Sequence, residues 1–206
     1  MARQYTLVQR MDKTLADLRA AQQDGAKKPR LLLHACCGPC SSAVLELLAK
    51  VFEIHIYYYN PNIWPPEEYH RREAELEKFI AETHFGITVA EAEYQPSDYY
   101  TAIAGLEQEP ERGNRCTVCY QMRMERAAAY AKEHGFDYFT TTLSISPHKD
   151  AARINAIGEA LEAKHGIPHL TSDFKKHGGF ARSLELSAEH GLYRQNYCGC
   201  EFSARR

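Results

Sequence analysis

Leu31-Leu32-Leu33-His34-Ala35-Cys36-Cys37-Gly38-Pro39-Cys40 is the stretch that decides the fold. Its apolar half suits a strand buried on both faces, the mark of a parallel sheet. His34, inside that strand, reads as a satisfied core residue rather than a metal ligand. Ser41 to Lys50 follows as a helix with Val44, Leu45, Leu47 and Leu48 inward, so the cysteines occupy the loop between strand and helix. The pattern then repeats. Glu53–Tyr59 reads as a strand closed by the Pro-rich turn Asn60–Pro66, and Glu67–Phe85 as a charged helix ending at Gly86. Ile87–Tyr94 reads as a third strand and Ser97–Ala104 as a short helix. A cysteine pair opens a helix over Tyr120–His134, followed by a strand over Phe136–Leu143, a helix over Asp150–Lys164 and a last strand over Gly166–Leu170. Strands alternating with helices predict an α/β fold with a doubly wound parallel sheet.

Residues 12–24 read as a helix with Leu15 and Leu18 on one face, ended by Gly25 and a basic linker. We therefore divide the 206 residues into an N-terminal helical extension, 1–29, and a single α/β domain, 30–206, that ends in a cysteine-containing segment. No apolar leader follows Met1 and no run approaches eighteen apolar residues, so a soluble, cytoplasmic protein without a membrane partner is expected. The net charge is −2 but uneven. Residues 66–93 hold eight acids (Glu91 among them) and three bases, whereas 174–206 hold six bases (Lys175, Lys176, Arg182, Arg194, Arg205, Arg206) and three acids. That asymmetry allows a local anion-binding face, although two ordinary solvated surfaces would look the same.

Seven cysteines fall in three groups: Cys36, Cys37 and Cys40; Cys116 and Cys119; Cys198 and Cys200. In a reducing compartment such grouping means metal ligation or redox chemistry rather than structural disulfides. The first group follows the first strand, and ligands of open α/β sheets bind beyond the carboxyl ends of strands. The second lies at a helix N-terminus, which stabilises thiolates. Spacing is compatible with an iron–sulfur cluster, a four-cysteine zinc site or a metal-free dithiol; the adjacent Cys36 and Cys37 are awkward partners on one tetrahedral ion and better suited to separate irons. A disulfide between Cys198 and Cys200 would close a small strained ring of the labile or catalytic kind. Dinucleotide and ATP loops are missing. Lys149 and Asp150 are a candidate cation and acid, or an ordinary charged N-terminal turn. Tyr57-Tyr58-Tyr59 reads as strand packing, and Trp64 and Tyr69 as the better surfaces for stacking an unpaired base.

At these residues the chain resembles the cobalamin-independent epoxyqueuosine reductases of the QueH type. The likeness is carried by Leu33–Ser41, Asn60–Ile63 with Glu68-Tyr69, Arg115–Tyr120 with Arg123, Thr140–Pro147 with Lys149, and Phe174–Lys176 through Tyr193–Cys200. It spans about Leu31 to Ser203 and leaves the first thirty residues outside. The resemblance implies a fold like the adenine nucleotide α-hydrolase or PP-loop (HUP) group with helical additions. It implies reduction of epoxyqueuosine to queuosine at the wobble position of tRNA, with the anticodon stem-loop as partner and an external one-electron donor. By the family pattern, Cys36, Cys37, Cys116 and Cys119 would bind a [4Fe-4S] cluster, and Cys198 with Cys200 would form a redox-active disulfide. The pattern also leaves room for an adjacent mononuclear iron, held in some relatives by a carboxylate where this chain has Cys40. Lys149 or Asp150 would deliver the proton, and Lys175, Lys176, Arg182 and Arg194 would meet RNA phosphates. An iron–sulfur-dependent tRNA thiolase, which would need ATP, and a zinc-stabilised RNA-binding module are the alternatives.

Overall fold

The computed structural model describes residues 5–90 and 92–204, so Glu91, Arg205 and Arg206 of the charge pattern lie outside the described residues. The elements are α1 (Leu7–Gln23), β1 (Arg30–His34), α2 (Gly38–Leu48), β2 (Glu53–Tyr57), α3 (Pro66–Thr83), β3 (Thr88–Ala90), α4 (Pro96–Ala102), α5 (Asn114–Glu133), β4 (Tyr138–Thr141), α6 (Ala151–His165), α7 (Gly179–Glu189) and α8 (Glu201–Ala204). Among the described residues the sheet has four strands in the order β3-β2-β1-β4, all parallel. The fold is α/β, as the alternation predicts.

β1 explains the two layers. Leu31 and Leu33 face a core with Leu45, Leu48, Ile56 and Phe79, while Leu32 faces another with Met124, Ala127, Phe139 and Ile154. All three leucines are fully buried, each contributing about 2 kcal/mol of burial. Helices therefore cover both faces. The chain runs from β1 out to β2 and β3, then returns to β4 on the other side of β1. The crevice between the carboxyl ends of β1 and β4 is the switch point.

Several boundaries differ from expectation for local reasons. α1 begins five residues earlier than residue 12, because Thr6 and Gln9 form a reciprocal capping box. Its Met11 and Leu15 enter the main core. α2 begins at Gly38 with Cys37 as N-cap and Pro39 in the first turn, so Cys40 belongs to a helix. β4 stops at Thr141, whose hydroxyl accepts from Leu143 N and starts a 3-10 turn over Thr142–Ile145. The strand expected over Gly166–Leu170 reduces to one bridge, Phe139 with His169, since Pro168 has no N–H to give. Both α7, which packs on α2, and α8 lie where no element was expected.

His169 is buried against Phe139, and neither ring nitrogen has a partner among the described residues. A Cβ on Gly158 would overlap the ring, so only glycine leaves this slot. Burial, aided by Arg10, pushes His169 down to about 4. The folded protein holds it neutral while the unfolded chain protonates it near pH 6.5, so its share of stability is complete above that pH and declines as pH falls toward 4. Between pH 7.5 and 5, His169→Leu should lose about 2 kcal/mol less stability than the parent in urea titrations, and equal losses would refute this.

Candidate active site

The loop after β1 delivers three thiols to one point. The sulfurs of Cys36, Cys37 and Cys40 all lie within 4.8 Å of one another, and those of Cys36 and Cys37 are 3.8 Å apart. Four sulfurs at about 2.3 Å from a single tetrahedral ion stand about 3.8 Å from each other. Adjacent Cys36 and Cys37, awkward partners on one tetrahedral ion by sequence, thus stand with Cys40 at a spacing that could hold a metal. Cys37 caps α2, its sulfur accepting from Cys40 N at 3.4 Å, which is why helix start and thiol triad coincide. From β4, Thr142 Oγ1 accepts from Cys36 N and donates to Cys36 Sγ at 3.5 Å, pinning the loop across the switch point.

Electrostatics favour an anion here. Hydrogen bonds from the Cys37 and Cys40 thiols hold Cys36 well below the usual thiol range, with Lys149 and Arg123 reinforcing them. The same hydrogen bonding raises Cys37 to about 11 and Cys40 further, so one thiolate is shared by three sulfurs. Arg123, fully buried on α5, donates to His34 Nε2, Asn60 Oδ1 and Cys119 Sγ, none of them a carboxylate. His34 also meets Thr141 Oγ1 at 2.8 Å and Tyr59 O at 3.1 Å; burial and Arg123 push it down to about 3, so it is the neutral core residue expected.

The triad opens on a cavity of about 640 Å³ lined by Cys36, Cys40, Cys116, Cys198, Lys149 and Trp64, among others. Cys116 accepts from Arg112 N at 3.2 Å in the first turn of α5. Cys119 is buried beside Cys200, Tyr99 and Ile103. Burial raises both, Cys119 to about 12, with Cys198 and Cys200 adding to the effect. The structure thus groups Cys36 and Cys37 with Cys40, packs Cys119 with Cys200, and lets Cys36, Cys40, Cys116 and Cys198 line one cavity. All seven cysteines are unbridged thiols.

Lys149 and Asp150 part company. Burial works against the Lys149 charge, but its charge interaction with the sulfurs of Cys36, Cys198 and Cys40 outweighs that and raises its pKa. The Asp150 carboxylate instead caps α6, accepting from Arg153 N at 3.1 Å, and is not among the cavity-lining residues. It is the charged N-terminal turn.

The stacking and phosphate expectations also divide. Trp64 is 43% exposed at the cavity rim, whereas Tyr69 is buried in α3 and stacked on Tyr94 with centroids 4.1 Å apart, leaving no face for a base. Lys175 is paired with Asp173 at 2.7 Å, and Arg182 with Glu46, Glu185 and Glu189. Arg194 donates to Ser183 O and Ser187 Oγ. Three of the four bases expected on phosphates thus have internal partners. Sequence reasoning missed Arg72, which lines the cavity: Nε pairs with Glu68 at 2.7 Å and Nη1 donates to Cys198 O at 3.3 Å. The Glu68–Arg72 spacing of four residues on a helix was its visible signal.

The family model described as epoxyqueuosine reductase QueH matches residues 31–206. A protein of that name from Streptococcus pyogenes serotype M1 is 40% identical over 198 residues, 94% of this chain and 78% of its own. One from Haemophilus influenzae is 45% identical over 184 residues, 88% and 74% of the two chains. A third, from Thermotoga maritima, is 36% identical over 179 residues, 84% and 89% of the two. The chain belongs to the epoxyqueuosine reductase QueH family.

Gly199 holds the last cysteine pair in place. Its φ is +120°, its carbonyl accepts from Trp64 N at 2.8 Å, and a Cβ there would stand 3.0 Å from Arg72 Nη1. Gly199→Ala should destabilise the protein by about 1–3 kcal/mol and speed alkylation of Cys198 as the loop lifts from Arg72, read by thermal melting and thiol labelling. Unchanged values for both would remove Gly199 from this role.

Proposed function

We propose that this reductase removes the epoxide oxygen of epoxyqueuosine at the tRNA wobble position through a thiolate-bound iron–sulfur centre in the cysteine-lined cavity. As a member of its family the chain is an oxidoreductase of queuosine biosynthesis. One observation carries the reading of the site: a sulfur triad stands beside a buried cation, Arg123, whose hydrogen-bonding partners are all neutral. Burying a charge costs several kcal/mol unless an anion stands near it, and an anionic metal–thiolate centre that includes Cys36 would supply one. All-sulfur donors fit iron–sulfur chemistry, so the residues present suit the group.

Our assignment keeps Cys36, Cys37, Cys116 and Cys119 as [4Fe-4S] ligands, on the strength of the resemblance. Cys40, drawn into the triad, is left for an adjacent mononuclear iron. When bound, the centre supplies electrons singly and a Lewis-acidic iron. Turning an epoxide into an alkene consumes two electrons and two protons and releases water. Oxidation of Cys198 and Cys200 to a disulfide yields that number of each, and an external one-electron donor then restores the thiols. Lys149, a cation facing the same cavity, holds a proton at Nζ for the departing oxygen. Trp64 offers its exposed ring to the extruded base at the anticodon.

The β3-β2-β1-β4 order with helices on both faces supports the PP-loop (HUP) comparison. We read 30–206 as one catalytic domain and 1–29 as a helical extension that docks through Met11 and Leu15. A cytoplasmic site of action follows from the tRNA substrate, and among the described residues no helix is long and apolar enough to cross a membrane.

Mass spectrometry of tRNA nucleosides tests the activity: a deletion strain should accumulate epoxyqueuosine and recover queuosine with the wild-type gene. Unaltered queuosine would overturn the assignment. Lys149→Met should lower kcat about 100-fold or more with iron content preserved, and full turnover would remove Lys149 from the proton path. Trp64→Ala should raise KM for tRNA about 10–100-fold with little change in kcat, and an unchanged KM would end its stacking role.

A further inference from the structure

Two buried polar atoms in the cavity wall are unsatisfied, and they are complementary. Arg72 is 2% exposed, and with Nε on Glu68 and Nη1 on Cys198 O its Nη2 has no partner. Gln195 donates through Nε2 to Cys37 Sγ at 3.1 Å. The Cys37 proton is already directed at Cys36, so its sulfur can only accept here, which turns the amide nitrogen rather than the oxygen toward it. Gln195 Oε1 is then buried without a donor. The other buried side-chain atoms without a hydrogen bond among the described residues belong to Asn62, Arg115, His169 and Asp173, the last ion-paired with Lys175, and none of these residues lines this cavity. One orphan donor and one orphan acceptor therefore sit in the wall beside Cys37 and Cys198.

A hydroxyl group accepts and donates at once, so a hydroxylated ligand can satisfy both atoms. Leaving such groups unpaired costs about 1–3 kcal/mol each, and a site built to hydrogen-bond a hydroxyl discriminates strongly against a ligand that lacks it. The five-membered ring that carries the epoxide in epoxyqueuosine also carries two neighbouring hydroxyls. Atoms that contact the sulfur-bearing loops lie next to where that ring must react. We propose that Arg72 Nη2 and Gln195 Oε1 grip the hydroxyls of the epoxide-bearing ring and so distinguish the modified nucleotide from guanosine. The inference rests on the substrate reading above and adds recognition residues to it. The ribose hydroxyl offers the same chemistry but is common to both nucleotides.

Anaerobically purified holoprotein, kept without reductant to prevent turnover, is titrated with tRNA bearing epoxyqueuosine and with the same tRNA bearing guanosine. Wild type should prefer the modified tRNA, and Gln195→Leu should shrink that preference about ten-fold or more while leaving guanosine tRNA affinity unchanged. Arg72→Lys, which keeps the charge but not the fork, should act in the same direction. Iron content and circular dichroism equal to wild type show that the variants are folded and loaded. A preference retained by both variants would mean that the two atoms bind internal water only, and overturns the proposal alone. Equal loss on both tRNAs would place the contact on ribose and also overturns it. Absence of any preference in wild type would sink the substrate reading, and the proposal with it.

Discussion

One guanidinium joins the parts of this molecule that have to meet. Arg123 reaches from α5 to His34 at the end of β1, to Asn60 after β2 and to Cys119 one turn before it on its own helix. Its burial makes those contacts obligatory, since any nitrogen left dry and unpaired would destabilise the fold. Two strands and a helix are thereby held in register at the edge where the cysteines lie. The same charge lowers the cost of a thiolate nearby, so one residue serves both packing and electrostatics.

The cysteine groups separate when seen this way. Cys36, Cys37 and Cys40 are made close by local geometry, a strand end running directly into a helix cap. Cys119 and Cys200 are brought together by tertiary structure around Tyr99 and Ile103, while Cys116 and Cys198 meet as walls of the cavity. Cys40, whose role spacing could not define, is placed by the cap: its backbone N–H is the donor to Cys37, and its sulfur follows.

Much of this was legible in the chain. The apolar run Leu31–Leu33, too short for a helix and bounded by turn residues, marked the central strand, and alternation marked the parallel sheet. Grouped thiols after that strand located the cavity. What escaped was set by partners distant in sequence. The Arg72 pairing with Cys198 spans 126 residues, and no local pattern announces it. Charge counts do not show that acids stand opposite Lys175 and Arg182, or that Arg194 donates to Ser183 O and Ser187 Oγ. Sequence leaves Asp150 open between acid and helix cap, and only the folded chain shows its carboxylate on Arg153 N and Tyr69 stacked on Tyr94. The strand at Gly166–Leu170 shrank because proline withholds a donor.

The order in which the wall is built has a consequence for assembly. Gln195 lies 158 residues beyond Cys37, yet it hydrogen-bonds that thiol and closes a cavity that also takes in Cys36 and Cys40. A chain emerging from the ribosome displays the Cys36–Cys40 thiols long before the segment that shields them exists. The site is therefore of high contact order, the last feature to form and the first to fray. Wherever the loop carrying Cys198 lifts from Arg72, the cavity loses that wall and the Cys36 and Cys40 thiols lie nearer solvent.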